Sequence, residues 1–175
     1  MLRMTLLALM LLTTQAASAF SYTVEVSEKD LQKNIASMMP LEKTQYFFTV
    51  ILRNPVIQLI GGNNRFGISS DITVKVPGGL QGKGQATITG SLRYDNTQGA
   101  FFIDSPSITK LTIANVPDSY LPDIKSLAQR ALSDSLASRP IYRLNDDDLR
   151  QKLAKSLLKS VTVKDKKLIL EMDAG

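Results

Sequence analysis

The sequence contains no histidine, no cysteine and no tryptophan among its 175 residues. Without histidine and cysteine, the common zinc, copper and iron sites are excluded, as are Cys–His and Ser–His nucleophilic systems. The motifs GxxxxGK[ST], GxGxxG and GxSxG, which bind phosphates and dinucleotides or carry a nucleophile, are also missing. Catalysis would depend on Asp, Glu, Lys, Ser or Tyr alone. We therefore expect a protein that is not an enzyme, with no catalytic residues, no cofactor and no bound metal.

Charge of either sign is modest: 21 Lys and Arg stand against 16 Asp and Glu, a net charge of +5. This mild basicity is compatible with an anionic lipid or an envelope polymer, and it is equally typical of an ordinary solvated surface. No basic strip is interleaved with aromatic residues, so nucleic acid is not an expected partner. Since no disulfide can form, stability must come from packing.

The only long apolar run lies at the N-terminus. Arg3, the run Leu6–Leu12 and the small residues Ala17–Ala19 have the order of a cleavable signal peptide. Residues 1–19 are thus predicted to be removed, leaving residues 20–175 as one domain. A membrane anchor is the alternative, but the run is shorter than the roughly 20 apolar residues that span a bilayer. No cysteine follows the cleavage site for lipid attachment, so we expect a free periplasmic protein.

Between Phe66 and Tyr94 the chain alternates with a period of two, which predicts two long antiparallel strands with one solvated face. The turn Pro77–Gly79 joins them. Both strands are about twice the usual length of roughly 5–6 residues, and the small residues on the inner face indicate a strongly coiled sheet. The inner positions are Phe66, Ile68, Ser70, Ile72, Val74, Val76, Gly82, Gly84, Ala86, Ile88, Gly90, Leu92 and Tyr94.

Other strands flank this pair and extend it to an antiparallel meander. The segment Tyr46–Leu52 is apolar on both faces, which predicts a strand covered on both sides or facing lipid. Asn54–Pro55 bends or breaks the chain, and Ser105–Pro106 marks an edge or a bulge. Turn chemistry at Gly61–Asn64 and Asp95–Gly99 separates the strands. Further short strands are predicted at Tyr22–Val26, Val56–Ile60, Ala100–Ile103, Ile108–Ile113, Val161–Val163 and Leu168–Met172.

Three helices are predicted from capping residues and helical spacing. Ser27 caps a helix that ends near Met39. The longest helix covers about Pro122 to Ser138. Its small residues Ala128 and Ala131 would allow close approach to the glycines of the sheet. Asn145 caps the third helix, which begins at Asp146-Asp147-Asp148 and carries Leu149, Leu153, Ala154, Leu157 and Leu158 inward.

Two charged clusters have both a functional and a structural interpretation. Asp146–Asp148 could bind calcium or magnesium, but three consecutive residues at a helix start point in different directions, so complementation of the helix dipole is favoured. Lys164, Lys166 and Lys167 could contact an anionic headgroup, whereas a solvated hairpin tip is the simpler interpretation.

Three segments make the chain resemble the YceB-like family of bacterial cell-envelope proteins of unassigned function. They are Tyr22–Val24 with Ser27–Leu31, Pro140–Leu144, and Leu153–Leu170. That family is similar to the tubular lipid-binding (TULIP) superfamily. The resemblance implies an α+β fold in which a long, highly curved antiparallel sheet wraps a long amphipathic helix, with further helices near both ends, and encloses an apolar cavity for lipid. Typical members carry a lipidated cysteine after the signal peptide, where this chain has Ala19-Phe20.

The leading functional hypothesis is a periplasmic protein that binds lipid or another hydrophobic ligand, holding an acyl chain between the sheet and the long helix. The simpler alternative is that the same residues only pack against one another. A second hypothesis, from another class, is an envelope scaffold that binds a protein partner through exposed apolar surface around Tyr46–Leu52. The predicted cavity residues are Phe66, Ile68, Ile72, Val74, Ile88, Leu92, Leu127, Ala131 and Leu136.

Overall fold

A computed structural model describes residues 21–61 and 64–173 of the chain. The predicted signal peptide and the centre of the Gly61–Asn64 turn lie outside the described residues. The strands are β1 (Ser21–Ser27), β2 (Leu41–Gln45), β3 (Phe48–Ile60), β4 (Arg65–Lys75), β5 (Gln81–Asp95), β6 (Ala100–Ala114), β7 (Pro140–Arg143), β8 (Leu158–Lys164) and β9 (Lys167–Asp173). The helices are α1 (Glu28–Ser37), α2 (Leu121–Leu136) and α3 (Leu149–Leu157).

Two antiparallel sheets contain these strands. The larger has six strands in the order β2-β3-β4-β5-β6-β7, so the predicted meander is confirmed. The smaller has the order β1-β9-β8 and joins the first described strand to the last one. In the β8–β9 turn, Asp165 and Lys166 have φ angles of 49° and 58°, as the two central residues of a tight hairpin turn require. No helix in the described part of the chain is long and apolar enough to cross a membrane.

The larger sheet is a strongly curved half-barrel around α2, as predicted. Helix α2 packs against β2 and β3 near one edge of the sheet and against β6 near the other. In a flat sheet, β2 and β6 would be about 19 Å apart at a strand spacing of ~4.8 Å, whereas a helix is only about 10 Å wide. A single helix reaches both because the sheet curls around it. Helix α1 likewise packs against β3 and β7.

The alternation predicted for Phe66–Tyr94 is confirmed in β4, where every second residue from Phe66 to Val74 is buried. In β5 the glycines have a different role from the predicted one, because they do not meet α2. A Cβ at Gly84 would collide with the backbone of Thr112 on β6, and one at Gly90 would lie 2.8 Å from the Phe66 ring. These glycines let β6 and an aromatic ring approach β5, which supports the tight coiling of the sheet.

A glutamine on α1 is hydrogen-bonded to a bulge in β3. At Asn54-Pro55 the pairing with β4 shifts register, and Asn54 has a φ of 49°. Gln32 of α1 donates from Nε2 to the carbonyl of Pro55 (2.6 Å) and accepts at Oε1 from the backbone N–H of Ile57 (2.9 Å). The side-chain amide therefore replaces ladder bonds that the bulge interrupts.

Helix α2 repeats this arrangement on β6. Ser105, which precedes Pro106, has a φ of 48°, and the pairing with β5 shifts register there. Gln129 donates to the carbonyl of Pro106 (2.6 Å) and accepts from the N–H of Ile108 (3.0 Å). Each bridging helix is thus attached to a proline bulge by one glutamine.

The structure differs from the sequence prediction at the β2–β3 hairpin in two ways. Tyr46–Leu52 is not one strand: Gln45 pairs with Phe48, and Tyr46 and Phe47 form the two-residue turn between β2 and β3. The first strand of this hairpin, β2, was not predicted, because its charged and polar residues give only a weak alternation.

The start and the inner face of α3 also differ from the prediction. Asp148, not Asn145, is the N-cap, and its carboxylate accepts from the backbone N–H groups of Arg150 and Gln151. Leu149 is 70% exposed and Leu153 is 42% exposed. Helix α3 begins three residues later than predicted, and both leucines face solvent. Ala154 is the buried residue of this helix.

Candidate functional site

Seven of the nine predicted cavity residues lie in the interior of the half-barrel, each no more than 2% exposed. Except for Ala131, they belong to one continuous hydrophobic core, which joins β4, β5 and α2. The other two residues, Leu127 and Leu92, reach surface clefts as well as this core. The seven are Phe66, Ile68, Ile72, Val74, Ile88, Ala131 and Leu136.

The first cleft has a volume of about 290 Å³ and lies between the β2–β3 hairpin and α2. Buried Leu127 forms its floor, and half-buried Phe48 forms one wall. The Phe48 ring makes an edge-on contact with the Tyr120 ring, and the two ring centroids are 5.6 Å apart. Exposed Tyr46 stands at the rim. An apolar floor beside an aromatic wall suits a hydrophobic ligand, and the volume lies just below the ~300–1,000 Å³ that is typical of small-molecule sites.

Polar groups around this cleft come from both elements. Gln45 extends from β2, and Asp123 and Arg130 lie two turns apart on α2. In the described part of the chain, no ion pair forms to Arg130. Asp134, the acidic residue one turn further along α2, is instead paired with Lys43 of β2. This pair links the edge strand to the helix beside the cleft.

A second cleft, of about 350 Å³, lies between the two sheets and includes Leu92 and Tyr94. The Tyr94 hydroxyl is buried and has no hydrogen-bond partner among the described residues. Burial raises the pKa of Tyr94, and the neighbouring Asp95 carboxylate adds to the increase. The Tyr94 ring packs at 4.8 Å from that of Phe101. An unpaired buried hydroxyl costs free energy.

The acidic cluster of the sequence has separate partners in the structure. Asp146 binds Lys155 (2.5 Å), and this hydrogen bond lowers the pKa of the Asp146 carboxyl. The backbone N–H of Asp147 donates to Asn145 Oδ1, while Asp148 caps α3. Within the residues that the structure describes, no group of three acidic side chains is placed to hold a metal ion.

Two of the three lysines at the β8–β9 hairpin, Lys166 and Lys167, form hydrogen bonds within the protein. Lys167 donates to Glu25 of β1 (2.5 Å), and this hydrogen bond raises the pKa of the Lys167 ammonium. Lys166 accepts at its backbone carbonyl from the N–H of Glu28, the first residue of α1. Lys164 is exposed to solvent. The β8–β9 turn therefore fixes the start of α1.

Leu127, which was predicted to line a cavity between the sheet and α2, lies at the floor of the first cleft. The walls of this cleft were not among the predicted residues. Tyr46 and Phe48 were assigned to one continuous strand, although the tight turn between them is what directs them towards α2. No turn-forming residue marks this hairpin, so the signal was absent from the local sequence.

These features define an α+β protein in which a curved antiparallel sheet wraps a helix. The model of the family described as "Protein of unknown function (DUF1439)" matches residues 26–167, and the chain belongs to that family. None of the curated proteins matches the sequence.

Among solved structures, the chain is similar to one reported as the crystal structure of lipopolysaccharide binding protein, with 15% sequence identity and a TM-score of 0.33. The alignment covers 88% of this chain and 50% of that chain. The protein thus spans about half the length of that structure, and a similarity at this level carries no argument about function.

Proposed function

We propose that the protein is a non-enzymatic periplasmic binding protein for a lipid or another hydrophobic ligand. The observation that carries this proposal is the cleft between the β2–β3 hairpin and α2, whose floor is Leu127. The YceB-like and TULIP-like resemblance of the sequence agrees with this proposal. Location in the periplasm rests on the signal-like sequence of residues 1–19.

The packed interior limits how the ligand binds. Since the inner residues of β4 and β5 fill the half-barrel with side chains, an acyl chain enters at the edge of the sheet and ends on Leu127. The cleft holds one chain segment and not a multi-chain lipid, because its ~290 Å³ is at the lower limit for small-molecule sites.

The first test is native mass spectrometry of protein purified from a bacterial periplasm, followed by denaturing lipid extraction. A lipid that co-purifies at a ratio near one to one would support the proposal. A protein that remains ligand-free after incubation with phospholipid and fatty acid would contradict it.

A pair of variants places the ligand in the cleft. Gln45→Trp adds an indole to the cleft wall, whereas Glu42→Trp adds one to the opposite face of the same strand. We expect Gln45→Trp to lower ligand occupancy at least about tenfold, and Glu42→Trp to leave it unchanged. Equal occupancy in both variants would exclude this cleft as the site.

The alternative function is an envelope scaffold that binds a protein partner. The observation in its favour is that Tyr46 is 84% exposed and Phe47 is 78% exposed. The remainder of the predicted contact patch does not contribute, because Val50, Ile51 and Leu52 are buried. Recovery of one stoichiometric protein partner with ligand-free protein would favour the scaffold.

A further inference from the structure

The β2–β3 turn breaks the usual rule for turn residues. Tyr46 and Phe47 are its only two loop residues, and Tyr46 has a φ of 53°. Positive φ at the first loop residue usually selects glycine, and two-residue hairpin loops favour Asn, Asp and Gly. Both side chains are mostly exposed, so neither gains packing energy that would offset this local cost. Departures from local preference without a folding benefit are expected at functional positions.

The adjacent turn carries a third exposed apolar side chain at the same end of the sheet. Thr49 of β3 pairs with Lys75 of β4, so the β2–β3 turn and the turn Pro77–Leu80 are neighbours. Leu80 is 48% exposed. We call the three side chains of Tyr46, Phe47 and Leu80 the apolar tip.

Exposed charges flank the apolar tip. Lys75 and Lys83 lie on either side of the Leu80 turn, and neither forms an ion pair within the described segments. Both lysines lie on the strands a few residues behind the apolar tip. At ~3.3 Å per strand residue, this places them within about 10 Å of Leu80. Asp118 and Asp123 are exposed on the α2 side. Asp123 lies in the cleft beside Tyr46 together with Arg130, whereas no acidic residue lies between Lys75 and Lys83. The lysine side is therefore the one that complements an anionic surface.

We propose that the apolar tip docks on the surface of an anionic phospholipid bilayer. Three side chains on two turns are far fewer than the roughly 20–30 residues per partner of a stable protein interface. They are enough for shallow insertion, in which a phenyl ring and a leucine enter the acyl boundary and the Tyr46 hydroxyl stays hydrated. Lysines set back from the tip then meet the phosphates. Because Tyr46 also forms the rim of the cleft, docking places the cleft entrance at the bilayer.

The absence of tryptophan from the sequence permits a direct test. Phe47→Trp puts the only tryptophan of the chain on the apolar tip. Leu149→Trp is the matched control, because Leu149 is 70% exposed and follows β7, which pairs with the opposite end of β6. We expect phosphatidylglycerol-containing vesicles to shift the emission of Phe47→Trp to shorter wavelength and lipids brominated in the acyl chain to quench it. Leu149→Trp should show neither effect.

Quantitative binding follows from vesicle flotation. Phe47→Ser should weaken binding at least about tenfold, the factor expected when one aromatic side chain no longer leaves water. Lys75→Gln and Lys83→Gln should each weaken binding about fivefold, with vesicles of pure phosphatidylcholine unaffected. Absence of an emission shift for Phe47→Trp, or an equal shift in both tryptophan variants, would overturn the proposal. The proposal would also be overturned if the apolar tip bound a protein partner and did not bind vesicles.

Membrane docking rests on the proposed function because Tyr46 belongs to both the apolar tip and the cleft. Separate experiments can nevertheless contradict docking and ligand binding. Phe47→Ser should bind monomeric fatty acid as the unchanged protein does, and should lose only transfer from vesicles. If it loses monomeric ligand as well, Phe47 belongs to the ligand site and docking is contradicted. If no variant binds fatty acid while Phe47→Trp still inserts, the proposed function fails and docking stands.

Discussion

Replacing Gln129 by alanine tests whether the glutamine contacts hold the helices on the curved sheet. The variant removes two hydrogen bonds, one to the carbonyl of Pro106 at 2.6 Å and one from the N–H of Ile108 at 3.0 Å. Both backbone groups belong to buried residues of a bulge, where the strand ladder does not satisfy them. The lost bonds therefore leave a donor and an acceptor unpaired.

The magnitude follows from these two groups. A net hydrogen bond contributes about 0.5–1.5 kcal/mol, and an unsatisfied buried group costs about 1–3 kcal/mol. Because Gln129 is only half-buried, water replaces part of each bond, and we expect Gln129→Ala to lower the free energy of unfolding by about 2 kcal/mol. Gln129→Glu should lose as much or more, since it places a carboxylate against the Pro106 carbonyl.

Urea unfolding followed by circular dichroism measures this difference. Lys125→Ala, an exposed residue of the same helix, is the control and should change stability by less than about 0.5 kcal/mol. Gln32→Ala should behave like Gln129→Ala, because it removes the equivalent bonds at the β3 bulge. A loss at Gln129 no larger than at Lys125 would refute the assignment of a structural role to these contacts.

Three further changes give sharp expectations. Gly84→Ala forces a Cβ into the neighbouring strand backbone, so it should lower the melting temperature by more than 10 °C or prevent folding, whereas Gly67→Ala, with its nearest neighbour at 3.6 Å, should change it by only a few degrees. Tyr94→Phe removes a buried hydroxyl without a described partner, so chemical denaturation should show equal or higher stability. Asp95 has a lowered pKa, mainly through the backbone N–H of its turn, so its stabilisation is present above the unfolded pKa near 3.9 and is lost as the pH falls further. The stability difference between Asp95→Asn and the unchanged protein should accordingly be measurable at pH 7 and vanish towards pH 2; a difference that does not change with pH would contradict this account.

Local sequence signals predicted most of the secondary structure. The alternation of Phe66–Tyr94 led to β4 and β5 because one face is buried along β4 and, in β5, at Gly82, Ala86 and Ile88. Ser27 was a recognisable cap, and its hydroxyl does accept from the N–H of Asp30. Ser105-Pro106 was a recognisable bulge. In each of these cases the physical cause lies within a few residues of the effect.

Features that depend on distant residues were not predictable. The pairing of β1 with β9 joins the two ends of the described chain, and no local pattern specifies it. The exposure of Leu149 follows from where α3 begins, which the competition between Asn145 and Asp148 for the cap decides. The turn at Tyr46 was hidden because its residues have strand preferences. Tyr46 and Phe47 are mostly exposed, although aromatic residues with strand preferences are expected to be buried. Their exposure was therefore visible only in the structure.

The position of the cleft changes what the buried residues mean for binding. Had Phe66, Ile68 and Ile88 lined a cavity, substituting Gly90 by leucine would have filled it. Instead, a side chain at Gly90 collides with the Phe66 ring, so that variant reports on core packing and not on ligand binding. A packed interior gives α2 a rigid support, and space for a ligand remains at its edge, in the cleft between Leu127 and Tyr46. Affinity for acyl chains should therefore increase with chain length only until this cleft is filled, and an increase that continues beyond it would mean that α2 moves away from the sheet.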